Sequence, residues 1–421
     1  MIKKLFQRYF TSGFFLNVPL VINTIIALFT LPIILANLPI VDYGKWQFIL
    51  AVQSWLLTFT GSNITYAAKR GIAKGLNGTF LHAFLTRLKL LILVGILTLG
   101  AAFYLKISGY HILPMLLAIL GLYLIVGHLF QISFYEFLIA KKRFKEWSFW
   151  QILIPSTSML GSALVAFFTK KIIFFASFQL GSISVLGLIA WFKAVKKERL
   201  VKSYKKGEID KECVPYGLKL IPIDVVTVTS TRAADFIIGP FFGFTNLAIF
   251  SVAIKLSRKF TTIIKSARPM LYADFAKKER SELIRIMNRY LVKIGILSLF
   301  LTFGFIGVGW IYIKLFLPKT FHPAIIYFAI LTLGLPAAIL AVVLHTILES
   351  HLRYKELIAT GIFPNLLKIM LILVFGYFWG VIGVCGALAI STWISFGFYY
   401  LLTVKRDLAM RMIEKFRLSN F

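Results

Sequence analysis

The sequence predicts an all-α polytopic membrane protein of about twelve transmembrane helices, arranged as two six-helix lobes with both termini cytoplasmic. Three observations carry this. Hydrophobic residues make up 59% of the 421 positions and the mean hydropathy is +0.84. Charged residues are only 15%, against about 25% in a soluble domain. The charges that do occur collect between apolar runs, each approaching the roughly 20 residues that cross a hydrocarbon core.

The runs fall near 12–37, 43–67, 86–107, 111–139, 147–169, 172–193, 214–238, 243–267, 290–315, 322–348, 356–377 and 380–404. The start, MIKKLFQRYF, looks like the basic end of a secretory signal. The apolar run from Gly13 to Leu38 is too long for one and leads into further spans, so it reads as a retained first helix. Orientation follows from the basic residues. One set of loops holds Lys3, Lys4, Arg8, Lys69, Arg70, Lys74, Lys141, Lys142, Arg143 and Lys145. It continues with Lys196, Lys197, Arg199, Lys202, Lys205, Lys206, Lys211, Lys277, Lys278, Arg280, Arg353 and Lys355, then Lys405, Arg406, Arg411, Lys415 and Arg417. The opposite loops offer only Lys45, Lys106, Lys170, Lys171, Lys314 and Lys319, and they are short. Both ends are therefore inside and the span number is even.

Six spans (1–193) precede a basic cytoplasmic linker (194–213), six follow it (214–404), and a basic tail (405–421) ends the chain. The division suggests two parallel homologous halves, as in many transporters. Asp42–Tyr43–Gly44 follows Pro19 at the same separation as Thr245–Asn246–Leu247 follows Pro222.

Spans 7 and 8 are unlike lipid-facing helices. The first carries Asp224, Arg232 and Asp235, the second Lys255, Arg258 and Lys259. Ionisable groups inside a bilayer cost several kcal/mol unless they face protein or water, and so are functional candidates. At about 100° per residue the first trio spans an arc of about 80° and the second about 100°. Both stripes can therefore face one cavity. Lys219, Lys265 and Arg268 stand at cytoplasmic ends and read as snorkelling anchors. An Arg232–Asp235 pair at i,i+3 has a purely structural reading as well. Candidate polar lining comes from Asn17, Asn23, Gln53, Asn63 and Asn365, for which helix–helix hydrogen bonding is the plainer explanation. Lys368 shares a face with Asn365, one turn beyond Pro364. His345 and Glu349 share a face of span 10, with Glu349 poised to pair with Arg353, and His128 reads as a packing residue. Cations outnumber carboxylates in spans 7 to 12, and arginine and lysine are the usual phosphate partners. The expected ligand is an anion.

Several classes are disfavoured. The net charge of +31 is dispersed rather than gathered into a nucleic-acid patch. Cys213 and Cys385 are far apart and the six histidines lack ligand spacing, so no disulfide, metal site or cofactor is expected. There is no GxxxxGK[ST] loop for nucleotide hydrolysis and no pair of carboxylates on a soluble loop for glycosyl chemistry, so no catalytic residue is assigned.

Two segments suggest a family. YGKWQFILAVQSWLLTFTGSNITYAAKRGIAKG at 43–75 resembles the second span and following loop of lipid-linked oligosaccharide flippases of the O-antigen (Wzx) type. ADFIIGPFFGFTNLAIFSVAIKL at 234–256 resembles their connection between spans 7 and 8. The wider superfamily includes multidrug exporters of the MATE-like fold. The resemblance implies a V-shaped pair of lobes around a central cavity. It further implies an undecaprenyl-diphosphate-linked oligosaccharide as substrate, a bacterial inner membrane, and glycan polymerase and chain-length regulator partners. Arg232, Lys255, Arg258, Lys259 and Lys368 are the residues expected to meet the phosphates, with Asp224 and Asp235 positioning them or binding a coupling H⁺ or Na⁺. The rivals are a multidrug/cation antiporter, which would want a negative cavity, and the flippase for the cell-wall lipid precursor, which has fourteen spans. A membrane glycan polymerase would need a long outer loop. An assembly scaffold is the last alternative.

Overall fold

Hydrocarbon offers no water to take backbone hydrogen bonds, so so apolar a chain must satisfy them within helices. In the computed structural model every regular element among the described residues is helical. The described residues are 2–265, 275, 279–350 and 354–405. Arg268, Lys277, Lys278, Arg353, Arg406, Arg411, Lys415 and Arg417, expected as cytoplasmic anchors, lie outside them.

The order begins with α1 (Ile2–Asn37), α2 (Ile40–Leu56), α3 (Ser62–Ala73), α4 (Gly78–Ile107), α5 (Ile112–Val126), α6 (His128–Ala140), α7 (Phe144–Thr169) and α8 (Ile172–Lys197). Short α9 (Leu200–Lys205) and α10 (Cys213–Lys219) lead into α11 (Ile221–Ile237). Then come α12 (Phe244–Lys265), α13 (Arg280–Phe316), α14 (Ala324–Thr332), α15 (Leu335–Ser350) and α16 (Tyr354–Tyr400). Among the described residues six helical stretches are long and apolar enough to cross a membrane, and counting each of the bent pairs α5/α6 (43°) and α14/α15 (41°) as one span brings the number to eight. α16 contributes twice. Gly380, at φ 58 and ψ −142, turns the chain back, and the Phe363 and Phe398 rings stack at 5.2 Å. Residues so far apart along one straight helix would stand roughly 50 Å from each other. The remaining expected spans fall on α2/α3, α10/α11 and α12, the segments with polar interiors. Each of the twelve expected spans thus has a helix or a broken helix pair among the described residues.

The breaks have local causes. Span 2 was expected as one helix. Instead α2 tightens into a 3₁₀ turn at Leu57–Thr60 and Gly61 takes the left-handed conformation (φ 63) before α3 resumes. Glycine has no Cβ to oppose that geometry. In α7, Pro155 has no N–H for the Gln151 carbonyl four residues back. The Asn23 amide of α1 donates to that carbonyl at 2.9 Å instead.

The chain divides into two compact units, residues 1–228 and 229–421. In the first, α1 packs on α7, α4 on α5, and α8 on α6 and α7. An aromatic core of Phe80, Phe84, Phe130, Phe137 and Trp191 joins α4, α6 and α8. The linker is fastened to this unit. Arg143 holds Glu198 at 2.7 Å, the Thr79 hydroxyl accepts the Asp210 N–H at 2.8 Å, and Arg70 meets Asp210 at 3.6 Å and Glu212 at 2.7 Å. The boundary between the units therefore falls inside α11, beyond the linker. In the second unit, α12 packs on α14, and α15 on α13 and α16. Ile284, Met287, Leu340, Leu344 and Val404 form its buried core. Side chains such as Leu97, Phe103, Phe168, Phe300 and Phe303 are more than half exposed, as lipid-facing positions should be.

Candidate functional site

In the second unit α11 and α12 bring the cationic residues together. α11 runs into a π-helical turn at Ile238–Phe242, where Pro240 cannot continue the i→i−4 ladder. One turn before it, Arg232 Nη1 contacts Asp235 Oδ2 at 3.3 Å, with Asp235 buried and Arg232 half-buried. From α12, Arg258 Nη2 donates to the Thr231 carbonyl of α11 at 3.4 Å. Asp235 lies within electrostatic reach of Arg232, Arg258 and Lys255, and Lys259 within reach of Lys255. Arg258 and Lys259 are half-buried and Lys255 is exposed, although Val252, Ala253 and Leu256 beside it are buried. Three cations thus gather around one carboxylate in the expected membrane interior, and Lys259 joins them through Lys255. Thr261 and Thr262 both donate their hydroxyls to the Arg258 carbonyl, at 2.9 and 2.7 Å, fixing the turn that carries the guanidinium.

Span 11 docks beside this cluster. The buried Ser230 hydroxyl of α11 donates to Asn365 Oδ1 at 2.8 Å, and Asn365 Nδ2 donates to the Gly361 carbonyl at 2.5 Å. Asn365 thus makes the helix–helix hydrogen bond expected of a membrane amide. Lys368, half-buried, follows one turn later on α16.

The other candidates sit elsewhere. Asp224 shares a stripe of α11 with Arg232 and Asp235, but it lies about 12 Å along the axis from Arg232 at 1.5 Å per residue and belongs to the first unit. There it accepts from Asn63 Nδ2 at 2.6 Å and Ser62 Oγ at 3.0 Å, at the start of α3. Asn63 is therefore a partner of Asp224. Asn23 bonds α7, and Ser156 Oγ also donates to its Oδ1 at 3.4 Å. Asn17 and Gln53 are half-buried on α1 and α2. His128 packs in the core with Nδ1 at 3.2 Å from the Tyr123 hydroxyl, and the His345 ring meets Tyr399. Arg353, the expected partner of Glu349, lies outside the described residues.

Sequence reading missed Arg87. Only 1% exposed, it reaches across to the break in span 2, donating to the Thr60 carbonyl at 3.3 Å, Thr60 Oγ1 at 3.3 Å and Thr65 Oγ1 at 2.7 Å. Its place beside the boundary of an apolar run makes it look like another anchor. The threonines around Gly61 were the signal that something had to supply donors there.

The family model described as Polysaccharide biosynthesis protein matches residues 83–326, more than half of the chain. Among solved structures, a MATE protein in complex with MaL6 matches at 15% identity and TM-score 0.66, covering 95% of this chain and 97% of that one. A MOP superfamily transporter from Pyrococcus furiosus, described as having a binding pocket of reverse polarity that suggests a different function, matches at 15% and 0.67, covering 95% and 96%. The lipid II flippase MurJ in an inward closed conformation matches at 16% and 0.57, covering 91% and 86%. No curated protein matches in sequence. These likenesses give the MATE-like fold, as the resemblance implied. With that fold, and with a family model spanning both units, this multi-pass membrane protein belongs to the polysaccharide biosynthesis protein family.

Proposed function

We propose that the chain is a flippase that carries undecaprenyl-diphosphate-linked oligosaccharide repeat units across the bacterial inner membrane for O-antigen or another surface polysaccharide. The observation that carries this reading is the cluster of Arg232, Lys255 and Arg258 around Asp235 on adjacent helices, with Lys259 beside Lys255. In low dielectric such an excess of positive charge attracts an anion, and arginine matches phosphate oxygens in a two-bond fork. A lipid diphosphate supplies that charge, while its chain remains in the bilayer. Family membership supports the pathway. The fold supports alternating access, in which the site opens to one side and then the other.

The carboxylates divide the remaining work. Asp235 positions the cluster. Asp224, held by neutral donors, is the candidate for a coupling H⁺ or Na⁺. The MATE likeness favours drug/cation antiport as a second reading, but a cationic drug would meet repulsion at this cluster. The test is Lys255→Ala with Arg258→Ala in cells lacking the chromosomal copy. Surface glycan should disappear while membrane levels of the protein hold. Normal glycan at matched expression would remove the reading, and retained export of a cationic dye would favour the rival.

A further inference from the structure

Both arginines of the cluster rest on internal acceptors, and both contacts are long: 3.3 Å from Arg232 Nη1 to Asp235 Oδ2, and 3.4 Å from Arg258 Nη2 to the Thr231 carbonyl. Charge-assisted N–H···O pairs settle at about 2.7–2.9 Å, and the strong arginine–carboxylate arrangement is a fork of two bonds. Elsewhere this chain reaches that range, with Arg70–Glu212 and Arg143–Glu198 both at 2.7 Å. The Arg232–Asp235 contact is long for its spacing, since Arg143 reaches Glu146, also at i,i+3, in close contact. The pair is also uneven. The Asp235 side chain is 9% exposed and the Arg232 side chain 27%, so the carboxylate is the inner member and the guanidinium the outer.

We propose that Asp235 is a resident counter-ion of the cluster, an internal carboxylate that occupies the Arg232 guanidinium until a diphosphate displaces it. The proposal rests on reading the cluster as a diphosphate site. A diphosphate brings more charge than one carboxylate, and its oxygens can take the fork geometry that Asp235 does not take here. Exchange replaces the long carboxylate contact by shorter ones, and the guanidinium faces an anion at every stage. When the ligand leaves, Asp235 takes Arg232 back, so the site does not have to expose bare positive charge in the membrane. Asp235 thus weakens binding and speeds release, which a carrier needs as much as capture. The adjacent π turn at Ile238–Phe242 is the kind of widened helical turn that often sits at functional sites.

Purified protein in lipid nanodiscs would be titrated with undecaprenyl diphosphate and, separately, with inorganic diphosphate. The set is wild type, Asp235→Asn, Arg232→Gln, the double variant of these two, and Lys255→Ala/Arg258→Ala. Asp235→Asn should bind about tenfold tighter and release more slowly, since the competing carboxylate charge is gone. That gain should vanish in the double variant, because it acts through Arg232. Arg232→Gln removes a cation and leaves the Asp235 carboxylate beside Lys255 and Arg258, so it should bind several-fold more weakly than wild type, against well over tenfold for Lys255→Ala/Arg258→Ala. Equal or weaker binding by Asp235→Asn, or a gain that survives without Arg232, overturns the counter-ion while leaving the diphosphate site standing. Should Asp235→Asn fail to fold, Asp235→Ala, which removes the same charge, is read in its place, and binding no tighter than wild type has the same meaning. Wild-type binding that Lys255→Ala/Arg258→Ala leaves unchanged removes the diphosphate site and the counter-ion with it.

Discussion

The two units handle charge at their helix contacts in opposite ways. In the first, charged groups that join helices are matched by opposite charges or by neutral partners. Lys69 pairs with Glu136 at 2.7 Å, Arg70 with Asp210 and Glu212, Arg143 with Glu198 and Glu146, and Asp224 with two neutral donors. Arg87 is enclosed by threonine oxygens. In the second, Arg232, Lys255 and Arg258 share the neighbourhood of Asp235, and Lys259 stands within reach of Lys255. Matched groups fasten helices, whereas a surplus of one sign keeps an appetite for a ligand. The difference teaches that intramembrane charge is not itself a sign of a binding site. The balance of signs around it is.

That contrast can be broken most sharply at Arg87. Replacing it with leucine leaves buried oxygens of Thr60 and Thr65 without their donor, at about 1–3 kcal/mol for each unsatisfied group. Arg87→Leu should therefore cost more than about 2 kcal/mol of stability, read as a large fall in the melting temperature of the detergent-purified protein. Lys255→Ala/Arg258→Ala should stay within about 1 kcal/mol of wild type, or gain, because removing like charges relieves repulsion. Comparable losses in the two would erase the distinction between fastening and binding cations.

Next in size is Gly217, on α10. A Cβ there would stand 2.5 Å from the nitrogen and Cα of Ile64 on α3. Gly217→Val must push the two helices apart, at about 1–3 kcal/mol for overpacking. The same thermal assay should show it, and an unshifted melting temperature would mean that α10 is not held against α3. Smaller again is Asp224→Asn. The amide keeps an acceptor oxygen for Ser62 and Asn63 but loses the charge that strengthens both bonds, a change of about 1 kcal/mol. If Asp224 binds the coupling ion, flipping in Asp224→Asn vesicles should stop responding to an imposed H⁺ or Na⁺ gradient. Asp235→Asn vesicles should still respond. A gradient response intact in Asp224→Asn would take Asp224 out of the coupling role.

Much of the fold was legible because apolar length and basic clusters are read residue by residue. The sites were legible in part. Helical phase placed Arg232 and Asp235 together and put Lys255, Arg258 and Lys259 on one face, since those groupings are local. Phase could not tell that Asp224 turns to Ser62 and Asn63, because that depends on which helix packs at which depth. Arg87 was missed for the same reason. Its role exists only because Gly61 breaks a helix elsewhere in the sequence, and neither end announces the other. The linker shows a third kind of miss. Its basic charge pointed to the cytoplasm but not to its docking, which Glu198, Asp210 and Glu212, the minority acids, make to Arg143 and Arg70.

Cys213 reports on that docking with the smallest expected effect. It begins α10, just after the Asp210 and Glu212 contacts, and is 3% exposed. Burial, and then the nearby Asp210 carboxylate, push its thiol up to about 11. A raised value means the thiol stays protonated through neutral pH and ionises only as the solution approaches that range. Since the thiolate is the nucleophile, maleimide labelling at pH 7.5 should be slow in the native protein. The Arg70→Ala variant removes the guanidinium that ties both acids to α3, each an exposed or half-exposed pair worth no more than about 1 kcal/mol. The global fold should survive and the labelling rate at Cys213 should rise, with the other thiol, Cys385, left as slow as before. Cys385 serves as the internal control because it is fully buried in the second unit. Acceleration at both thiols would mean general loosening. Acceleration at neither would mean that the linker is held by packing around Thr79 and Leu200 rather than by its charges.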